Sequence, residues 1–207
     1  MKVLCVGRNY AKHARELGNA VPAQAGTPIW FWKPDSAIIA DGEAIEIPAS
    51  LGAVHHEVEL ALRIAKPVRR MDGPSALRCI DAITVANDLT ARELQQAAQK
   101  AGLPWAQAKG YDTFLPLGKW MNHDGRDLPD LRLKLWVGDE LRQDGWTGDM
   151  IHKVPDLLAH ASTWTTLKPG DIVLTGTPDG VGPVVAGKKV RCEIPGVATL
   201  ENPVRLA

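Results

Sequence analysis

Apolar positions along this chain recur in short runs, and few of them follow helical spacing. The runs in KVLCVG, PIWFWKP, AIEIP, IDAITVAND, LRLKLWVGDELRQ and DIVLTGT predict strands, and KVRCEI followed by ATLENPV predicts a hairpin turning at Pro195 and Gly196. The stretch AVHHEVELALRI, residues 53–64, also reads as a strand. Side chains alternate across a strand, so Val54, His56, Val58, Leu60, Leu62 and Ile64 share one face, and His55, Glu57, Glu59, Ala61 and Arg63 the other. Two carboxylates therefore stand side by side, in a pattern that by itself describes a solvated strand face.

Helical signals are confined to NYAKHARELG, TARELQQAAQKAG and MIHKVPDLLAHASTW. In the middle one, Thr90 and Glu93 have capping-box spacing, and Gly102 followed by Pro104 supplies the stop. Asp88 falls between an apolar strand and that helix, where side chains are presented at the mouth of a sheet; by itself it reads as a turn aspartate. Short strands, few helices, 19 Gly and 15 Pro predict a β-dominated α+β fold, and 207 residues without an internal repeat suit one domain spanning 1–207.

Charge and cysteine content narrow the function classes. Twenty-four basic residues balance 24 acidic ones, which argues against a nucleic-acid footprint or a membrane-surface patch and favours a small-molecule partner. Cys5, Cys79 and Cys192 are far apart and lack CxxC spacing, so neither a disulfide framework nor a zinc ribbon is expected. No apolar run is long enough to span a bilayer, and the first residues lack an export signal, which points to the cytoplasm.

Glu57 and Glu59 on one strand face, joined by Asp88 at a strand end, offer three oxygen ligands. That set suits Mg²⁺ or Mn²⁺, with further octahedral positions left to water or substrate. His55 shares the carboxylate face as a possible outer partner, and His56 has the look of a packed residue.

In this order the blocks GRNYAKHARELG, PIWFWKPDSAI, HHEVELALRI, NDLTARELQ, GLPWAQAKGYDTFLPLG and LKPGDIVLTGTPDGVG resemble the fumarylacetoacetate hydrolase family. The resemblance covers residues 6–182 and is greatest to the small single-domain acylpyruvate hydrolases, fumarylpyruvate hydrolases and oxaloacetate decarboxylases or tautomerases. It implies a mixed β-roll or β-sandwich with short helices, a homodimer, a 2-keto acid substrate, and one Mg²⁺ or Mn²⁺ per subunit held by Glu57, Glu59 and Asp88. The solvated-face reading of the two glutamates then gives way to a metal site.

His13 and Glu16 match the family's His-x-x-Glu dyad, and three residues apart on a helix they share a face, as a base and its orienting carboxylate require. Residues 7–18, bracketed by Gly7 and Gly18, form a candidate lid. Lys109 is expected to stabilise a developing enolate. Thr177 and the glycines of LTGTPDGVGPV are expected at the substrate carboxylate, and Arg8 and Arg92 are candidate anion contacts. Gln95 and Asp112 match family positions near the site. The aromatic residues Trp30, Phe31 and Trp32 are assigned to core or dimer interface and not to the pocket. The leading activity is hydrolytic C–C cleavage of acylpyruvate-type 2,4-diketo acids. The alternatives are an oxaloacetate decarboxylase or keto–enol tautomerase on the same fold, and a non-catalytic metal-binding β module.

Overall fold

The computed structural model describes residues 1–18, 26–126 and 128–207, which include every candidate site residue. A six-stranded sheet runs in the spatial order Met121–Asn122, Ile80–Asn87, Val58–Ile64, Ile172–Leu174, Val3–Gly7 and Ile29–Lys33. A five-stranded sheet runs Glu140–Trp146, Arg132–Val137, Lys189–Ile194, Ala198–Leu206 and Ile45–Ile47. Each contains one parallel pairing among antiparallel ones, the first between Val3–Gly7 and Ile172–Leu174 and the second between Ala198–Leu206 and Ile45–Ile47. The fold is thus α+β and mostly strand, with short helices.

The two sheets enclose the main core, in which Leu60, Leu62, Ile83 and Val85 of the first meet Leu133, Leu135, Val190, Cys192 and Leu200 of the second. A smaller apolar cluster of Val3, Cys5, Phe31, Ala61, Ala86, Ile172 and Leu174 covers the opposite face of the six-stranded sheet. Burial on both faces explains why its strands read as continuous apolar runs without alternation. All three cysteines are free and buried. No helix among the described residues is long and apolar enough to cross a membrane.

Three sequence expectations are corrected here. LRLKLWVGDELRQ is two strands and not one, folded back through Gly138, whose φ of +59° a side chain would strain. The capping box does not form. Thr90 pairs with His55 in a short strand and bonds the Asp88 carbonyl, so the helix Arg92–Ala101 starts from Ala91 instead. Its end matches the sequence, with Gly102 left-handed. The stretch 53–64 breaks at Glu57: Val54–His56 pairs with Gly182–Pro183 and Thr90–Ala91 in a three-stranded sheet, while Val58–Ile64 belongs to the six-stranded one.

The helix Ala11–Glu16 is pinned at its base by the buried Asn9. Its amide donates to the carbonyls of His152 and Thr175 at 3.0 and 2.9 Å, and its oxygen accepts from the His152 N–H at 2.8 Å. Any opening of a lid over 7–18 must therefore pivot beyond Asn9. Replacing Asn9 by Ala strands three buried backbone groups, and Asn9→Ala should cost about 3 kcal/mol in urea unfolding; a loss below about 0.5 kcal/mol would show that water replaces the clamp.

Candidate active site

The break at Glu57 is where the chain passes between sheets, and side chains take over the backbone bonding there. Asn87 Oδ1 accepts the Glu57 N–H at 2.9 Å, and the Glu57 carbonyl accepts the Asp88 N–H at 2.8 Å. With Glu59 paired opposite Ala86, this register brings one oxygen from each of Glu57, Glu59 and Asp88 within 4.8 Å of one another. All three are buried, Asp88 completely. The face whose alternation alone describes a solvated strand is interior at both glutamates.

Three cations balance the three acids. Arg92 donates to Glu57 Oε1 at 2.5 Å, and Lys109 Nζ bridges Glu57 Oε2 at 2.8 Å and Asp88 Oδ2 at 2.6 Å. Lys33 Nζ approaches Asp88 Oδ1 at 2.8 Å and donates to the carbonyls of Leu89 at 3.0 Å and of Lys109. Glu59 has no cationic partner among the described residues; its Oε2 accepts the Gly176 N–H at 2.6 Å.

The ionisation tendencies follow from this arrangement. Burial disfavours the Glu57 carboxylate, but Lys109 and Arg92 outweigh it and hold the group well below its usual range. Burial and the nearby Asp88 carboxylate push Glu59 well above its usual range, and Lys109 and the Gly176 amide offset only part of that. Burial would depress Lys109, yet Asp88 and Glu57 raise it above the usual lysine value. Burial, followed by Arg92, lowers His55 to about 4, so His55 is neutral where it accepts from Arg92 Nε at 3.2 Å.

This set fits a divalent cation. Asp88 Oδ1 is buried and, Lys33 lying off the line of a hydrogen bond, has no aligned donor among the described residues. Glu59 gains most from a cation, because its repulsion by two carboxylates is relieved. The donors are all oxygens, as Mg²⁺ and Mn²⁺ prefer.

Glu57 and Glu59 open into a narrow cleft of about 30 Å³, on the scale of one or two water molecules. His13, Arg8, Arg92, Gln95, Thr177 and Lys109 line it. His13 is buried, with Nδ1 3.5 Å from Glu16 Oε2 and no aligned hydrogen-bond partner among the described residues. Burial would raise Glu16, but its 3.5 Å contact with His13 and the bond from the Gly180 N–H prevail and its pKa is lowered. Arg8, at a φ of +59°, keeps a buried, unpartnered Nε among the described residues. Gln95 accepts from Arg92 Nη1, and Thr177 Oγ1 accepts from Gln143 Nε2 at 2.8 Å.

Several expectations shift. Asp112 is exposed and lies apart from the cleft. Arg92 is committed to Glu57 and Gln95, which makes it a brace before it is an anion contact. The N–H groups of Gly176 and Gly180 serve the protein's own Glu59 and Glu16, because the left-handed backbone at both glycines aims these amides inward. Phe31 lines the cleft beneath Lys109, whose Nζ is 4.8 Å from the ring centroid; Trp30 and Trp32 instead meet Trp164 at the surface. Lys33, Gln143 and Asn9 were not singled out by sequence. For Lys33 a signal existed: it is a charged residue sharing the inward face of its strand with Phe31.

An interior carboxylate triad on a mixed two-sheet fold, with a buried histidine in the same cleft as Glu57 and Glu59, is a candidate metal centre. Residues 2–205 match the family described as fumarylacetoacetate (FAA) hydrolase, C-terminal, and the chain belongs to that family. It is 49% identical to a mitochondrial oxaloacetate tautomerase of Arabidopsis thaliana, over 97% of this chain and 89% of that one. It is 43% identical to a mitochondrial oxaloacetate decarboxylase of Dictyostelium discoideum, over 96% and 90%. The fumarylpyruvate hydrolase of Pseudomonas aeruginosa, solved with Mn²⁺ and pyruvate, superposes with a TM-score of 0.93 at 32% identity, over 100% of this chain and 90% of that one. Such relatives make the chain an enzyme and set aside the non-catalytic module.

Lys33→Met removes a cation from Asp88 and two donors from buried carbonyls. It should destabilise the protein by roughly 3 to 5 kcal/mol in chemical denaturation. Undiminished stability would show that Lys33 is neutral and dispensable in the core.

Proposed function

We propose that the chain is a divalent-metal-dependent oxaloacetate tautomerase, interconverting the keto and enol forms of a four-carbon 2-keto diacid. The observation that carries this reading is the buried His13 in the same cleft as Glu57 and Glu59, its Nδ1 3.5 Å from the Glu16 carboxylate so that its other ring nitrogen can serve as the base. The close relatives named for oxaloacetate support it over the hydrolytic reading that the sequence placed first. Mg²⁺ or Mn²⁺ held by Glu57, Glu59 and Asp88 would draw electron density from the 2-keto group and so acidify the adjacent C3–H bond. With all three acids ionised as ligands, Arg92, Lys109 and Lys33 offset their charge, so a bound divalent ion would leave a charge of +2 that a dicarboxylate dianion matches.

Tautomerisation moves one proton and breaks no C–C bond. His13 takes the proton from C3 as the C2–C3 double bond forms, then delivers a proton to the C2 oxygen; the reverse sequence returns the keto form. Glu16 favours the transient imidazolium across the 3.5 Å contact. Arg8 and Thr177 are the donors available to the carboxylates of the substrate. Hydrolysis is the second reading, favoured by the likeness to the fumarylpyruvate hydrolase, and it would use His13 to activate water instead.

One assay series separates the two. Freshly dissolved enol oxaloacetate, followed by its ultraviolet absorbance, should ketonise fastest with Mn²⁺ and natural protein, and EDTA should abolish the acceleration. His13→Ala should lower the rate roughly 10²- to 10⁴-fold. Rapid cleavage of acetylpyruvate or fumarylpyruvate without acceleration of oxaloacetate ketonisation would establish the hydrolase instead.

A further inference from the structure

Gln143 is fully buried on the strand Glu140–Trp146 of the five-stranded sheet, yet its side chain reaches across to the site. Its Oε1 accepts from the Val58 N–H at 3.1 Å and faces His56 Nδ1 at 3.0 Å, on either side of Glu57. Its Nε2 donates to Thr177 Oγ1 at 2.8 Å and to the Pro178 carbonyl at 2.9 Å. Four contacts saturate the amide.

The orientation of that amide is forced. A backbone N–H can only donate and a carbonyl can only accept, so Val58 and Pro178 fix which end of the amide is oxygen and which is nitrogen. Nε2 has no lone pair to offer, so Thr177 must receive a hydrogen from it and cannot give one back. The Thr177 hydroxyl hydrogen has no acceptor among the described residues, and Thr177 lines the cleft. An anionic oxygen there completes the set.

We propose that Gln143 is a positioning residue that makes Thr177 an obligate hydrogen-bond donor to a carboxylate oxygen of the bound substrate. The inference deepens the oxaloacetate reading and rests on it only for the identity of the anion. It links the second sheet to substrate recognition through two hydrogen bonds in series.

The test uses oxalate, a planar dicarboxylate dianion, titrated calorimetrically into the full chain with Mn²⁺ present, and Mn²⁺ titrated alone. Thr177→Val should weaken oxalate binding roughly 10- to 100-fold, the scale for one hydrogen bond to a charged group, while Thr177→Ser stays within about threefold. Gln143→Met should show a comparable loss, and adding it to Thr177→Val should cost nothing further. Mn²⁺ affinity without oxalate should remain within about threefold in every variant. Undiminished oxalate binding by Thr177→Val, no oxalate binding by the natural chain, or additive losses in the double variant would each overturn the proposal. So would a loss of Mn²⁺ affinity in Gln143→Met that matches its loss of oxalate, since Gln143 would then merely brace Glu57. The Thr177 pair keeps the proposal falsifiable where Gln143→Met fails to fold. Oxaloacetate turnover is not read, so oxalate binding as stated in a chain inert toward oxaloacetate would refute the tautomerase and leave this relay standing.

Discussion

Three carboxylates buried within a few ångströms of one another cannot all stay ionised without positive charge beside them. Here Arg92, Lys109 and Lys33 supply it unevenly, gripping Glu57 and Asp88 and leaving Glu59 with only a backbone amide. That asymmetry makes the cluster a receptor. Two of its acids are held in place before any ligand arrives, and the third carries the electrostatic incentive to bind a cation. Lys109 thus bridges Glu57 and Asp88 and holds them in register, a role prior to any contact with substrate.

The architecture serves that arrangement. Glu57 sits where the chain leaves one sheet for another, so its backbone groups are freed from strand pairing and taken by Asn87, Asp88 and, one residue on, Gln143. The six-stranded sheet is covered on both faces, which keeps the ion pairs dry. The helix Ala11–Glu16 brings His13 over the cleft from a base locked by Asn9, and Gly180 ties its far end through Glu16.

Sequence revealed more of the chemistry than of its support. Glu57, Glu59 and Asp88 could be read as a set because strand alternation and a strand end place oxygens together, and His13 with Glu16 because helical spacing pairs them. Lys33 and Gln143 were missed for a physical reason: they act through partners 55 or more and 34 or more residues away, respectively, on other elements, and no local period encodes such contacts. Lys33 left a trace as a charge on an apolar strand face; Gln143 left none, since a glutamine in a polar-looking hairpin is commonplace. The amides of the glycines in LTGTPDGVGPV were assigned to a ligand, when Glu59 and Glu16 of the chain itself had the prior claim on Gly176 and Gly180. Asp112 was carried over by family position alone, and its exposure removes it from the cleft.

Anomalous diffraction from crystals soaked in Mn²⁺ tests the charge frame most directly. The account predicts one manganese peak per chain among Glu57, Glu59 and Asp88, with Arg92 and Lys109 still bonded to Glu57 and the oxygen of Glu59 turned onto the ion. A manganese bound elsewhere, or a triad that remains closed on Lys109 with no peak at saturating metal, would contradict it.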